Sequence, residues 1–181
     1  AFMHSVRIPP KSSVTMGPKQ VKEYKELIHR MKYIRGHFIE TLIQIETHMN
    51  RIIEKCLFSK DSEFKSAFSE KVLNSRAVPL TVKIGLFKEI VDRAGLLEED
   101  EKREFFKSLE TLKTERNKWA HGPIFYEQDR NLRFHPYLQY IDGKEKLSEQ
   151  KLTEEYFEDL DKRLQTIDEK MKKILVKLEL L

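Results

Sequence analysis

The sequence predicts an all-α fold, a helical bundle with two long helices, one N-terminal and one C-terminal, and a small antiparallel β meander before the last helix. Three observations predict it. Apolar residues recur at alternating steps of three and four over residues 21–56. The same alternation returns over residues 157–181. Between them, residues 124–147 alternate apolar and polar side chains around turn-forming stretches.

Residues 1–19 hold Pro9, Pro10, Gly17 and Pro18 among serines and lysines, and read as an extended or mobile arm. From Gln20 the pattern changes. Val21, Tyr24, Ile28, Met31, Phe38, Leu42, Ile45, Met49, Ile52 and Cys56 form one stripe, interrupted only by Arg35. That is a single amphipathic helix of roughly ten turns. A helix so long needs a partner. Phe157, Leu160, Leu164, Ile167, Met171, Ile174, Leu178 and Leu181 supply the matching stripe. Thr153 suits its N-cap, and Glu154 and Glu155 suit the positive end of its dipole. The two helices are expected to pack along part of their length.

In the middle, Glu63 to Leu73 reads as a short helix. Pro79 opens another, carrying Val82, Phe87, Ile90, Val91 and Ala94 and ending at Gly95. Glu98, Glu99 and Asp100 start a further helix that runs to His121. Gly122-Pro123 stops it, because proline disfavours helical geometry in the residue before it and lacks an N–H. In the meander, Asp142-Gly143 is a two-residue hairpin signal. The expected organisation is the arm over 1–19 and a single domain over 20–181, with the β appendage at about 124–147.

The 181 residues are 39% hydrophobic and 35% charged, enough for a core and too charged for a membrane protein. No run approaches the roughly 18 to 20 apolar residues of a membrane span. The first residues lack an apolar core region, so no secretory signal is expected. A formal charge of +4 allows a polyanionic partner without demanding one. The single Cys56 excludes an intramolecular disulfide, fits a reducing cytoplasmic compartment, and is expected to be buried on the helix seam. His4, His29, His37, His48 and His135 have no metal-ligand spacing, so no metal is expected. With no Gly-rich phosphate loop and no nucleophile elbow, no cofactor is expected either. Lys22, Lys25, Arg30, Lys32 and Arg35 are interleaved with glutamates and read as a solvated face. No nucleic-acid-binding set stands out.

One stretch does stand out, "TERNKWAHGP" at residues 114–123. The stripe of its helix reads Phe105, Leu109, Leu112, Arg116, Trp119. Arg116 thus falls where the spacing asks for an apolar residue. Burying a guanidinium unpaired costs several kcal/mol by order of magnitude. It should therefore face a polar cleft, a carboxylate or a second subunit. Trp119 should be core. Asn117 and His121, four apart, share a face, and the helix dipole at the C-terminal end favours a protonated imidazole. A structural ion pair for Arg116 and a capping role for His121 are the plain alternatives. Arginine and histidine without a metal set suit RNA, which carries its own nucleophile in the 2′-hydroxyl. Imidazole can move the proton, and guanidinium can brace charge on the phosphoryl oxygens.

"ERNKWAHG" resembles the R-x(4–6)-H signature of the HEPN domain family, here Arg116-Asn117-Lys118-Trp119-Ala120-His121. "KIGLFKEIV" upstream is similar to the helix that often precedes the motif in bacterial members. The resemblance covers roughly residues 20–181, and only the short motif is sharp. It implies an α-helical domain, often a homodimer, with two motif copies facing one cleft. It implies a metal-independent endoribonuclease acting on RNA, of a toxin or phage-defence type, with an antitoxin protein as a possible partner. Other members bind or assemble without cleaving, so a helical module using the motif for dimerisation or docking is the alternative. Carried over by position, Arg116 would hold the scissile phosphate. His121 would be the general acid or base, and Asn117 would orient one of them. Glu115 is a weaker supporting candidate. Within one regular helix Arg116 and His121 lie about 140° apart in azimuth. A site shared between two subunits, or unwinding of the last turn, would bring them together.

Overall fold

Residues 16–58, 63–75, 78–129 and 131–180 are described by the computed structural model. The residues expected to form the arm lie mostly outside this set, as does Leu181. The chain is mostly helical, with long helices at both ends, and a three-stranded sheet keeps it from being purely all-α. Helix α1 spans Pro18–Leu57, α2 Glu63–Phe68, α3 Leu80–Arg93, α4 Glu99–His121 and α5 Glu154–Lys177. Strands β1 Ile124–Gln128, β2 Phe134–Ile141 and β3 Leu147–Lys151 lie between α4 and α5.

Helix boundaries follow local chemistry. A π-helical turn, Ser69–Leu73, extends α2 to the expected end of that helix. Pro79 has extended geometry and precedes α3, which it can do because the first helical N–H groups need no intrahelical partner. At the other end of α3, Gly95 sits at φ +58°; Leu96 N–H reaches Val91 O at 3.1 Å and Gly95 N–H reaches Asp92 O at 3.3 Å. That pair of bonds is a Schellman cap, and the positive φ is where glycine is cheapest. Thr153 caps α5: its Oγ1 accepts Tyr156 N–H at 3.2 Å.

Several expectations on side chains are corrected. Cys56 is exposed. Ile52 and Ile53 are both fully buried, so the buried stripe of α1 turns past the thiol. In α3, Val82 is exposed and the buried positions are Lys83, Ile84, Phe87, Ile90 and Val91.

The meander is antiparallel in the order β1-β2-β3, and its last strand runs four residues beyond the expected limit of 147. Asp142-Gly143 is not a two-residue turn. Asp142 N–H bonds Lys146 O at 2.9 Å, and Glu145, not glycine, takes positive φ at 59°. The β1–β2 connection is built the same way, with Asp129 N–H on Arg133 O at 3.0 Å and Leu132 at φ 62°. In both, the aspartate Oδ1 accepts the N–H groups two and four residues ahead, at 2.8–2.9 Å for Asp129 and 2.8–3.0 Å for Asp142. Those donors hold both carboxyls below the usual carboxylate range, with the bond from His135 the largest contribution at Asp129. An aspartate that satisfies two loop donors makes a five-residue hairpin loop possible without glycine at the left-handed position.

Internal contacts divide the chain into two compact units. One comprises Thr41–Thr114 with Leu160–Leu181. Its core holds Met49, Ile52, Phe87, Phe105, Leu112, Ile167 and Ile174, each almost fully buried. The buried Lys83 of α3 is ion-paired to Glu46 of α1. Glu101 of α4 accepts from Lys170 at 2.9 Å and Lys173 at 2.7 Å on α5. Arg51 of α1 donates to Leu180 O at 2.8 Å. The other unit comprises Ala1–Glu40 with Glu115–Asp159. In it, Arg30 of α1 pairs with Glu154 of α5 at 2.8 Å. This second unit carries the whole sequence-predicted site.

Candidate functional site at the end of helix α4

The buried face of α4 steps from Leu112 to Glu115 and then to Trp119. Leu112 is 1%, Glu115 8% and Trp119 0% exposed. The apolar stripe therefore advances by three after Leu112, where the sequence reading advanced by four to Arg116. Both steps fit a 3.6-residue period. Partners decide between them. Tyr156 of α5 donates its hydroxyl to Glu115 Oε2 at 2.5 Å and receives Trp119 Nε1–H at 2.8 Å. Lys118 donates to Glu115 Oε1 at 2.7 Å, with its ammonium 4.6 Å from the Tyr140 ring centroid. A buried carboxylate that accepts from a hydroxyl and an ammonium is tolerated where an unpaired one is not. Burial, and then the bond to Glu115, pushes the Tyr156 phenol well above its ordinary value.

Arg116 is consequently half-buried on the flank of the helix, and Asn117 and His121 are exposed. None of the three side chains has a hydrogen bond or ion pair with any described residue. The structural ion pair considered for Arg116 is absent among the described residues. Helix α4 stays helical through His121, and Gly122 N–H closes on Lys118 O at 2.7 Å. The last turn is not unwound. Arg116 and His121 therefore keep an azimuthal separation of about 140° on their own helix.

Past His121 the chain turns sharply between two backbones. A Cβ on Gly122 would sit 2.6 Å from both Gln139 O and Lys118 O. Glycine is required here for close approach, and Gly122 itself is buried. Pro123 O then accepts Gln139 N–H of β2 at 3.1 Å, which ties the junction to the sheet. The Gly122 carbonyl is met from α1. Arg35 Nη2 donates to it at 2.5 Å, and the guanidinium lies 5.9 Å from the Trp119 ring centroid.

The sequence places Arg35 with the solvated basic face of α1, and the structure corrects this: the side chain is half-buried and its guanidinium is turned onto the Gly122 carbonyl. Its signal was present: it is the lone polar residue on the α1 stripe. Burial lowers its pKa, opposed by the nearby Tyr126. No described carboxylate pairs with it, and its Nε is buried with no hydrogen-bond partner among the described residues. Tyr126 of β1 is almost fully buried; its phenol is pushed up to about 12 by burial, with Tyr24 adding and Arg35 opposing. Tyr24 packs edge-on against Tyr126 at 5.3 Å and on Phe134 at 4.9 Å.

Trp119 is held in a cage of rings. Phe38 lies at 6.0 Å, Tyr156 at 6.4 Å and Phe157 at 6.2 Å between centroids. Its expected core role is what the structure shows. The helix end is thus fixed by packing on Trp119, by a carboxylate network at Glu115, and by a guanidinium on Gly122. Of the three polar motif residues, Asn117 and His121 are left exposed and Arg116 half-buried on the flank. A cation, an amide and an imidazole so disposed can contact an anion and move a proton. Among the described residues, no three His, Cys, Asp or Glu side chains converge as a metal site, and no helix is long and apolar enough to cross a membrane. Comparison of the chain with protein-family models, with curated proteins and with solved structures finds no match.

Proposed function

We propose that this chain is an RNA-directed, HEPN-like protein that acts as a metal-independent endoribonuclease of a toxin or phage-defence type. The observation that carries the reading is a division of labour along residues 115–122. Glu115, Trp119 and Gly122 take the buried positions, while Arg116 is half-buried on the flank, Asn117 and His121 are exposed, and none of the three has a described partner. A merely structural arginine or histidine at this place would be expected to hold a carboxylate or a helix carbonyl. The carbonyl at this helix end is held by Arg35 instead.

In the proposed reaction the 2′-hydroxyl of one nucleotide attacks the adjacent phosphorus. The P–O5′ bond breaks, giving a 2′,3′-cyclic phosphate end and a 5′-hydroxyl end. His121 takes the hydroxyl proton or delivers one to the leaving oxygen. Arg116 braces the charge that builds on the phosphoryl oxygens, and Asn117 orients one of the two. Because Arg116 and His121 diverge on one helix, the working site is composite, with the motif of a second copy of the chain facing the first.

The test is an RNA cleavage assay with and without EDTA. Cleavage should survive the chelator and require the 2′-hydroxyl. It should fall by about 10²–10⁴-fold in both Arg116→Ala and His121→Ala, the range of lost acid–base catalysis. Variants that cut like the parent would remove the catalytic assignment. A parent that never cuts, with variants that lose self-association, would leave the chain as a helical assembly module.

A further inference from the structure

The strongest unassigned feature is the guanidinium of Arg35. It interrupts an otherwise apolar stripe, next in line to the buried Met31 and Phe38. A group serving stability alone is better replaced by a well-packed apolar side chain, because desolvating a cation costs more than one hydrogen bond returns. Arg35 makes that single described hydrogen bond, to the Gly122 carbonyl at 2.5 Å, and its Nε has none. The bond falls on the residue directly after His121. A Cβ on Gly122 would lie 2.6 Å from two backbone oxygens, so the backbone is closely packed here.

We propose that Arg35 is a positioning residue for His121, acting through the Gly122 carbonyl. The inference rests on the nuclease reading for what His121 does, but not for where Arg35 sits. Three bonds then define the exit from α4: Gly122 N–H to Lys118 O, Gly122 O to Arg35, and Pro123 O to Gln139 N–H. The middle one is the only one made by a side chain. It fixes the carbonyl plane that follows the histidine, and with it the backbone from which the imidazole projects. The Trp119 ring beside the guanidinium restricts its swing. An acid or base must meet its proton within hydrogen-bond reach, so a small change in that backbone is felt in turnover rather than in RNA binding.

The chain has one tryptophan, so its fluorescence reports on Trp119 alone. Arg35→Gln should shift Trp119 emission and lower kcat about tenfold or more, with KM within about twofold of the parent. Arg35→Lys keeps a charged donor and should recover most of the turnover. Arg35→Met keeps the packed stem without the donor, and should behave like Arg35→Gln if the glutamine variant does not fold. Melting curves show which variants are folded at the assay temperature. Parent-like emission and turnover in the folded glutamine or methionine variant would overturn the assignment. So would a lysine variant as slow as the glutamine one, which indicates packing alone. If the parent cleaves no RNA, the nuclease reading fails separately. The emission arm then decides whether Arg35 holds this helix end, and unchanged emission overturns it.

Discussion

Glu115 and Arg116 are chain neighbours with opposite situations. The carboxylate is buried and bonded on one oxygen by Tyr156 and on the other by Lys118, and the guanidinium stands on the flank with no described partner. Removing the buried member should therefore cost stability, and removing the flanking one should not. Glu115→Ala strands the Tyr156 hydroxyl and the Lys118 ammonium, and should cost about 1–3 kcal/mol per group left unsatisfied. The expected outcome is a clear drop in melting temperature for Glu115→Ala and a near-parental melt for Arg116→Ala, both read by circular dichroism. A destabilised Arg116→Ala beside an unaffected Glu115→Ala would reverse the assignment of buried and flanking roles.

At the scale of elements, the α4–α5 contact in the unit Thr41–Thr114 with Leu160–Leu181 turns on one carboxylate. Bonds from Lys173 and then Lys170, with the Glu98 N–H, hold the Glu101 carboxyl down at about 2, from 4.5. A carboxyl whose folded value is depressed stabilises the fold above its unfolded value and loses that contribution as acid is added. The loss should spread from pH 4.5 down to about 2. Glu101→Gln should be less stable than the parent at neutral pH and should converge with it towards pH 2, in denaturant titrations at each pH. Curves that stay parallel through the acid range would count against the clamp. Most elements could be read from spacing. The stripes of α1 and α5, the proline before α3, Gly95 and the Gly122-Pro123 stop all act locally, within a few residues. What could not be read depends on partners distant in sequence. The slip from Arg116 to Glu115 is decided by Tyr156, 41 residues away. The length of both hairpin loops is decided by an aspartate carboxylate, which composition does not distinguish from a two-residue turn. Of the candidate site, Arg116, Asn117 and His121 stand out in the sequence as a motif. Arg35 reads as an anomaly on the apolar stripe and as one of a solvated basic set, and neither reading finds its partner, a backbone carbonyl that no side-chain pattern announces.

For the whole molecule, the divergence of Arg116 and His121 on an intact helix makes a quantitative demand on assembly. If the composite reading holds, each working site draws on two chains. Mixing Arg116→Ala with His121→Ala protein should then restore part of the cleavage that each lacks alone, since a mixed pair still offers one arginine and one histidine. Gel-resolved RNA products from the mixture, compared with the two variants separately, measure it; a mixture no better than its components would place both groups in one chain. The close passage of β2 beside residue 122 has a bearing on how descent could be traced. The His-Gly pair looks like part of a chemical signature, yet its second letter is dictated by backbone oxygens of β2 and of the last turn of α4, which together leave no volume for a methyl group. A search pattern that insists on that glycine would therefore select for this backbone packing and not for the chemistry of the histidine.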